Sequence, residues 1–164
     1  MMNNYFIILA SGQSKRFKSN KPKQFIKYKN KALFEHSVDK AITSKLFKKI
    51  ILVTNDKKQI KNKYQKNVII IKGGKERSDS SLKGLKYIKK YKPNNVLIHD
   101  AARPNFSIKL LKKLITSLEK NKASVPIINS KDSIKYKVKN KLFNLKRNNS
   151  FLTQTPQAFK SKKF

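Results

Sequence analysis

Three clusters in this chain combine small and charged residues at spacings suited to handling phosphate. The first is Ala10-Ser11-Gly12-Gln13-Ser14-Lys15-Arg16, followed by Pro22-Lys23-Gln24. Small residues let backbone N–H groups approach phosphate oxygens closely, and Arg16 and Lys23 supply cationic donors. No Gly-Lys-Ser/Thr follows, so this is not a Walker loop; Ser14 and the lack of a third glycine exclude the dinucleotide fingerprint. Taken alone, the loop also suits a glycine turn with solvated lysines. The second cluster is Gly73-Gly74-Lys75-Glu76-Arg77-Ser78-Asp79-Ser80. Glycines followed by Ser and Asp make a helix start that can receive polar or anionic groups, or can simply be a well-capped helix. The third is His99-Asp100-Ala101-Ala102-Arg103-Pro104. Its carboxylate can bind sugar hydroxyls, hold Mg²⁺ indirectly, or pair structurally with Arg103.

The basic residues carry a further signal. Of 41 Lys and Arg, only Arg16, Arg77, Arg103 and Arg147 are arginine. An arginine retained in a chain that otherwise uses lysine implies planar, bidentate geometry that lysine cannot supply. All four fall in loop-like segments of the pattern.

The elements that must position these residues are short apolar runs alternating with amphipathic stretches. Residues 5–10, 50–54, 68–71, 96–99 and 123–128 read as strands. Helices are expected over 33–43, over 79–90 with Leu82, Leu85 and Ile88 on one face, and after an N-cap at Ser107; 56–65 is a weaker, polar helix candidate. Continuous apolar strands separated by helices predict an α/β fold with a mostly parallel sheet covered on both faces. Ligands of such sheets sit at the carboxyl ends of the strands, where all three clusters fall. Beyond 128 the pattern changes. Residues 132–136 and 142–145 are expected to pair as a hairpin around Lys139-Asn140-Lys141, and the remainder reads as an extension rather than another β–α unit. One domain over 1–164 is the expectation.

Composition narrows the function classes. The net charge of +33 suggests a polyanion binder, but the charge is spread along the chain and dominated by lysine. Readers of bases and phosphates lean on arginine, and the aromatics here follow core patterns rather than a base-stacking series. No specific nucleic-acid partner is therefore expected, although a basic nucleic-acid-binding protein remains the rival from another class. There is no cysteine, so disulfides, thiolate nucleophiles and cysteine metal sites are excluded, and two histidines are too few for a His-rich metal site. No signal-peptide order opens the chain and no run approaches the roughly 20 apolar residues of a membrane span, so a cytoplasmic protein with no membrane association is expected.

Taken in order, the three clusters together with Asp132-Ser133, Arg147 and Gln154-Thr155-Pro156-Gln157 resemble the 2-C-methyl-D-erythritol 4-phosphate cytidylyltransferase family of isoprenoid-precursor synthesis. The resemblance implies a three-layer α/β/α Rossmann-like nucleotidyltransferase with a β-hairpin arm at about 129–150. It implies transfer of CMP from CTP to methylerythritol phosphate, with Mg²⁺ carried by the triphosphate near Asp100. In this likeness Arg16 and Lys23 are catalytic. Ala10, Ser11, Gly12, Gly74, Ser80 and Asp100 bind CTP. Asp100, Ser133 and Arg147 bind the acceptor, the last two from an arm lent to the neighbouring subunit of a homodimer. The chain departs from the family's usual Ala or Gly at Ser11, from its frequent Gly at Ser14 and from its Thr at Ser133. Family members also continue for several dozen residues beyond the Thr-Pro-Gln segment, with further acidic residues and a second catalytic lysine, so a fragment, or an inactive remnant that binds CTP, is an open alternative. The related ribitol-phosphate cytidylyltransferase group is another; Ala101-Ala102 before Arg103 favours the methylerythritol group.

Overall fold

All six residues of strand β1 (Asn4–Leu9) are buried, because the strand is covered on both faces. Phe6 and Ile8 enter one apolar layer, while Tyr5, Ile7 and Leu9 enter the other. That two-sided burial is why the run is uninterrupted rather than alternating. The computed structural model describes residues 3–14 and 21–161. In chain order the elements after β1 are β2 (Lys27–Tyr28), β3 (Lys31–Ala32), α1 (Leu33–Ser44), β4 (Lys49–Val53), α2 (Asn62–Gln65), β5 (Ile69–Ile71), α3 (Arg77–Lys89) and β6 (Asn95–Asp100). They continue with α4 (Ile108–Ser117), β7 (Ala123–Ser124), β8 (Ile127–Asn129), β9 (Lys135–Val138), β10 (Lys141–Asn144), β11 (Phe151–Thr153) and β12 (Gln157–Lys160).

The main sheet has the order β5-β4-β1-β6-β12-β7. β1 pairs in parallel with β4 on one side and β6 on the other, with Leu9 opposite both Val53 and Asp100. The strand order therefore reverses at β1, and a crevice opens between the carboxyl ends of β1 and β6. Helices α1 and α4 cover one face through Phe34, Val38, Ala41, Leu111, Leu114 and Leu118. Helix α3 covers the other through Ile88 and Leu85. The result is the expected three-layer α/β/α arrangement. Ser107 caps α4 as its position implies, its hydroxyl accepting from the Leu110 N–H at 3.1 Å, a contact of about 1 kcal/mol. No helix of the described residues is long and apolar enough to cross a membrane.

Four details differ from the sequence pattern. Helix α3 buries Ser80, Gly84 and Ile88, one residue every helical turn, while Leu82 is 51% exposed. Gly84 sets this face: a Cβ there would lie 2.9 Å from the Ile7 side chain, so its absence lets α3 settle onto β1. The 56–65 segment is not one helix. It forms a 3₁₀ turn and the single turn α2, separated by Ile60, which turns into the core in an extended conformation. The 123–128 strand is split at Val125-Pro126: β7 stays in the main sheet, whereas β8 leaves to pair with β11. Finally, the extension returns to the main sheet. β12 inserts antiparallel between β6 and β7, with Ala158 opposite Leu97 and Ser124.

Turn chemistry is unusual in this chain. None of its glycines has positive φ; among the described residues the left-handed positions are Ser14, Lys29, Asn30, Lys45, Lys92 and Lys139.

Candidate active site

The loop after β1 is fixed by the residues that follow the second half of its motif. Gln24 is buried, and its amide donates 2.8 Å hydrogen bonds to the carbonyls of Ala10 and Gly12. The Lys23 N–H donates to the Ser14 hydroxyl at 2.9 Å. Phe25, next in the same 3₁₀ turn, anchors the staple by packing edge-on against Phe34. Both ends of the phosphate-type loop are thus tied to 23–24. Arg16 lies outside the described residues.

The second cluster meets the first directly. The hydroxyls of Ser11 and Ser80 are 2.7 Å apart, and Ser80 accepts from the Gly74 N–H at 3.0 Å. Gly73 sits so close that a Cβ would fall 2.3 Å from the Ser11 Cβ. The Asp79 carboxylate accepts from the Glu76 N–H at 3.1 Å and secures the start of α3. The third cluster closes the opposite side. Asp100 receives Arg77 Nε at 2.8 Å and lies 3.5 Å from Arg103 Nε. Arg103 in turn reaches the Gln154 side chain at 3.4 Å. The simple Asp–Arg pair weighed from the sequence is therefore present, with Arg77 added to it.

These segments enclose a cleft of about 250 Å³ lined by Ser11, Gly12, Ser14, Lys23, Gln24, Lys75, Glu76, Arg77 and Asp100, with Leu9, Ala101 and Ala102 completing it. Ala10 lies buried beneath. Its polar lining mixes hydroxyls, cations and two carboxylates, the makings of a site for a polyphosphate and a sugar. A larger apolar groove of about 680 Å³, beside Leu82, Leu85, Ile88 and Val96, contains none of the candidate site residues. Chemistry, not size, selects the smaller one.

Behind Asp100, His99 is fully buried against Phe106, with ring centroids 4.6 Å apart. Burial pushes its imidazole down to about 3 from the ordinary 6.5; Asp100 pulls it upward, while Arg103 and Lys40 push it further down. The folded ring thus stays neutral where the unfolded one takes a proton. The stability this provides is complete above about pH 6.5 and is lost as the pH falls toward 3. Between pH 6.5 and 5, the unfolding free energy of the wild type is expected to fall by about 2 kcal/mol more than that of His99→Gln in urea titrations. Equal falls would show that His99 is not the linked group.

Residues 5–164 match the family described as IspD, 2-C-methyl-D-erythritol 4-phosphate cytidylyltransferase. The chain belongs to this family. It is 52% identical over 164 residues to the bifunctional enzyme IspD/IspF of Pelagibacter ubique, covering 99% of this chain and 44% of that protein. It is 36% identical to the 2-C-methyl-D-erythritol 4-phosphate cytidylyltransferase of Caldicellulosiruptor bescii, covering 97% of this chain and 73% of that one. Among solved structures, 4-diphosphocytidyl-2C-methyl-D-erythritol synthase of Anaerococcus prevotii superimposes with a TM-score of 0.83 at 31% identity, over 98% of this chain and 71% of that one. The chain thus spans less than half of the bifunctional relative.

Within this IspD framework, the structure brings Ser11, Gly12, Lys23 and Asp100 to one cleft, with Gly74 and Ser80 joined to it through Ser11. Ser133 and Arg147 are elsewhere, exposed on the arm that carries β9 and β10. Arg77 is not in a loop, as its pattern implied, but opens α3. Among the cleft residues without an expected site role are Gln24, Lys75 and Arg77. The Gly-Gly-Lys-Glu-Arg spacing signals the last two. Gln24 belongs to the first cluster, but its task was not signalled, because it depends on carbonyls 12 to 14 residues away.

Proposed function

We propose that this chain transfers CMP from CTP to 2-C-methyl-D-erythritol 4-phosphate, releasing diphosphate. The observation that carries the reading is the single cleft formed by Ser11, Gly12, Lys23 and Asp100 at the switch point of the sheet, in a chain of the IspD family. In this reading the backbone of Ala10, Ser11 and Gly12, with Arg16 and Lys23, holds the triphosphate. Gly74 and Ser80 face the cytosine and ribose. Asp100 binds between nucleotide and acceptor. An acceptor phosphate is already nucleophilic near neutral pH, so the in-line attack on the α-phosphorus needs no general base. Positioning and charge supply the rate. Arg77 and Arg103 hold the Asp100 carboxylate on both sides and fix its direction.

IspD enzymes, as nucleotidyltransferases, commonly use a divalent metal. The cleft presents only Asp100 and Glu76 as anionic ligands, and the described residues contain no cluster of three ligating side chains. That donor set fits Mg²⁺ that takes most of its oxygens from the triphosphate, with Asp100 nearby. When bound there, Mg²⁺ would supply positive charge to offset that of the diphosphate. The same reading places the protein in the cytoplasm, where CTP is made and spent.

Ser133 and Arg147 are read as grips for the acceptor phosphate in a neighbouring subunit's cleft. Their exposure supports this, as does the apolar surface around them: Ile127, Ile128, Leu142, Phe143, Phe151 and Leu152 are all exposed. A homodimer through this arm would cover them. The arm also carries seven basic side chains between 129 and 150 against Asp132 alone. Two such arms repel, so dimerisation is expected to strengthen as NaCl rises from about 50 to 300 mM, read by sedimentation velocity. A dimer that weakens with salt would contradict the apolar interface.

The function is tested by diphosphate release from CTP with each acceptor in turn. Methylerythritol phosphate is expected to support release and ribitol 5-phosphate to support at least about 100-fold less, the discrimination expected of buried polar contacts. The reverse order would reassign the chain to the ribitol group.

A further inference from the structure

Behind the cleft, a series of hydrogen bonds runs from the Asp100 backbone to the Ala101 carbonyl. The Asp100 backbone N–H donates to Thr155 Oγ1 at 3.4 Å. Thr155 Oγ1 is 2.9 Å from His99 Nδ1. His99 Nε2 is 3.3 Å from Ser37 Oγ. Ser37 Oγ donates to the Ala101 carbonyl at 3.4 Å. Two ends of the series are fixed: a backbone N–H can only donate, and a carbonyl can only accept. With the Ser37 proton on the Ala101 carbonyl, Ser37 accepts from Nε2–H. The bare Nδ1 must then accept from the Thr155 hydroxyl. The opposite assignment leaves the Thr155 proton with no acceptor among the described contacts and takes Ser37 away from Ala101. His99 and Ser37 are fully buried, where an unmade bond is costly.

We infer that Thr155, His99 and Ser37 form a directional hydrogen-bond chain that starts at the Asp100 N–H, ends at the Ala101 carbonyl, and thereby sets the position of Asp100 in the cleft. These are positioning residues. None of them lines the cleft. The chain ties three elements into one unit: α1 through Ser37, the end of β6 through His99, and the segment before β12 through Thr155. Gln154, the neighbour of Thr155, holds Arg103, which lies against the other side of Asp100. The segment before β12 thus fixes Asp100 twice, by backbone and by side chain. The hydrogen-bond assignment stands on geometry alone; its consequence for turnover rests on the proposed cytidylyl transfer.

The test uses ¹⁵N-labelled full chain at pH 7.5. Only His36 and His99 contribute imidazole signals, so assignment is direct. His99 is expected as one neutral tautomer, protonated at Nε2 and bare at Nδ1. In Thr155→Val, amide exchange at Asp100 is expected to speed up at least about 10-fold, and kcat to fall by a similar factor with KM for CTP within about threefold. Thr155→Ser, which keeps the hydroxyl, is expected to restore both the exchange rate and kcat. Ser37→Ala gives a second route should Thr155→Val not fold: it removes the Nε2 acceptor, and its His99 Nε2 resonance is expected to move while Thr155 keeps Nδ1. An Nδ1-protonated or charged His99 in the wild type overturns the assignment. Wild-type Asp100 exchange and kcat in a folded Thr155→Val overturn the positioning role. A wild type that releases no diphosphate from CTP would sink the functional reading instead, and the tautomer and Asp100 exchange would then decide the chain without it.

Discussion

Lys23→Ala is expected to turn over CTP at least about 100-fold more slowly than the wild type, a loss of ~3 kcal/mol in transition-state stabilisation. Lys23 opens the 3₁₀ turn whose next residue, Gln24, staples the phosphate-type loop, so its ammonium is carried by the element that sets the loop's shape. It lines the same cleft as Asp100. Charge builds on the α-phosphoryl oxygens as the bond to diphosphate breaks, and a cation fixed there acts mainly on the transition state. The side chain is exposed, and the bond from the Lys23 backbone to Ser14 survives the substitution. Stability is therefore expected to change by less than about 0.5 kcal/mol. A diphosphate-release assay paired with thermal unfolding separates the two effects. Near-normal turnover would rule out the role assigned to Lys23.

Gly73→Ala is the second large effect, and it acts on stability first. The added methyl would lie 2.3 Å from the Ser11 Cβ and 2.6 Å from its hydroxyl. Ser11 cannot swing away cheaply, because its hydroxyl meets Ser80 and its carbonyl receives Asn55. Either the 73–74 turn or the loop after β1 must move. Overpacking of this kind costs about 2 kcal/mol. Activity should fall with it, since Ser11 and Gly12 line the cleft. The decisive measurement is the pair: Ser11→Gly removes both close atoms, so Ser11→Gly/Gly73→Ala is expected to recover most of the lost stability in a double-mutant cycle. Additive losses would show that the two residues do not compete for the same space.

The architecture was largely legible because apolar strands buried on both faces leave long uninterrupted runs, as at 5–10 and 96–99, and because Gly, Ser and Asp punctuate the strand ends. The cleft was legible for the same reason: residues next to a strand end in sequence are next to it in space. What escaped depends on contacts between distant segments. Gln24 stands in the first cluster, but its role as a staple shows only once its bonds to the carbonyls of Ala10 and Gly12 are known. Thr155 looks like a turn residue until β12 folds back beside β6. Leu82 was placed in the core because its spacing matches Leu85 and Ile88, but Gly84 draws a different face of α3 onto the sheet. Pro126 was inside an expected strand, and its missing N–H is a reason the strand breaks there.

The division of labour between glycine and lysine has a practical side. In most chains glycine marks bends; here the bends at 29, 45, 92 and 139 are taken by lysine, each at a cost of about 1 kcal/mol in the left-handed region. The glycines at 73, 74 and 84 stand instead where a methyl would collide with Ser11, Asp79 and Ile7, and Gly12 borders the open cleft. A mutagenesis library built on this protein should therefore be read in reverse of the usual custom. The codons for Gly73, Gly74 and Gly84 are where clones are lost, and the left-handed lysines at 29, 45, 92 and 139 are where a change to glycine or asparagine is expected to gain thermal robustness.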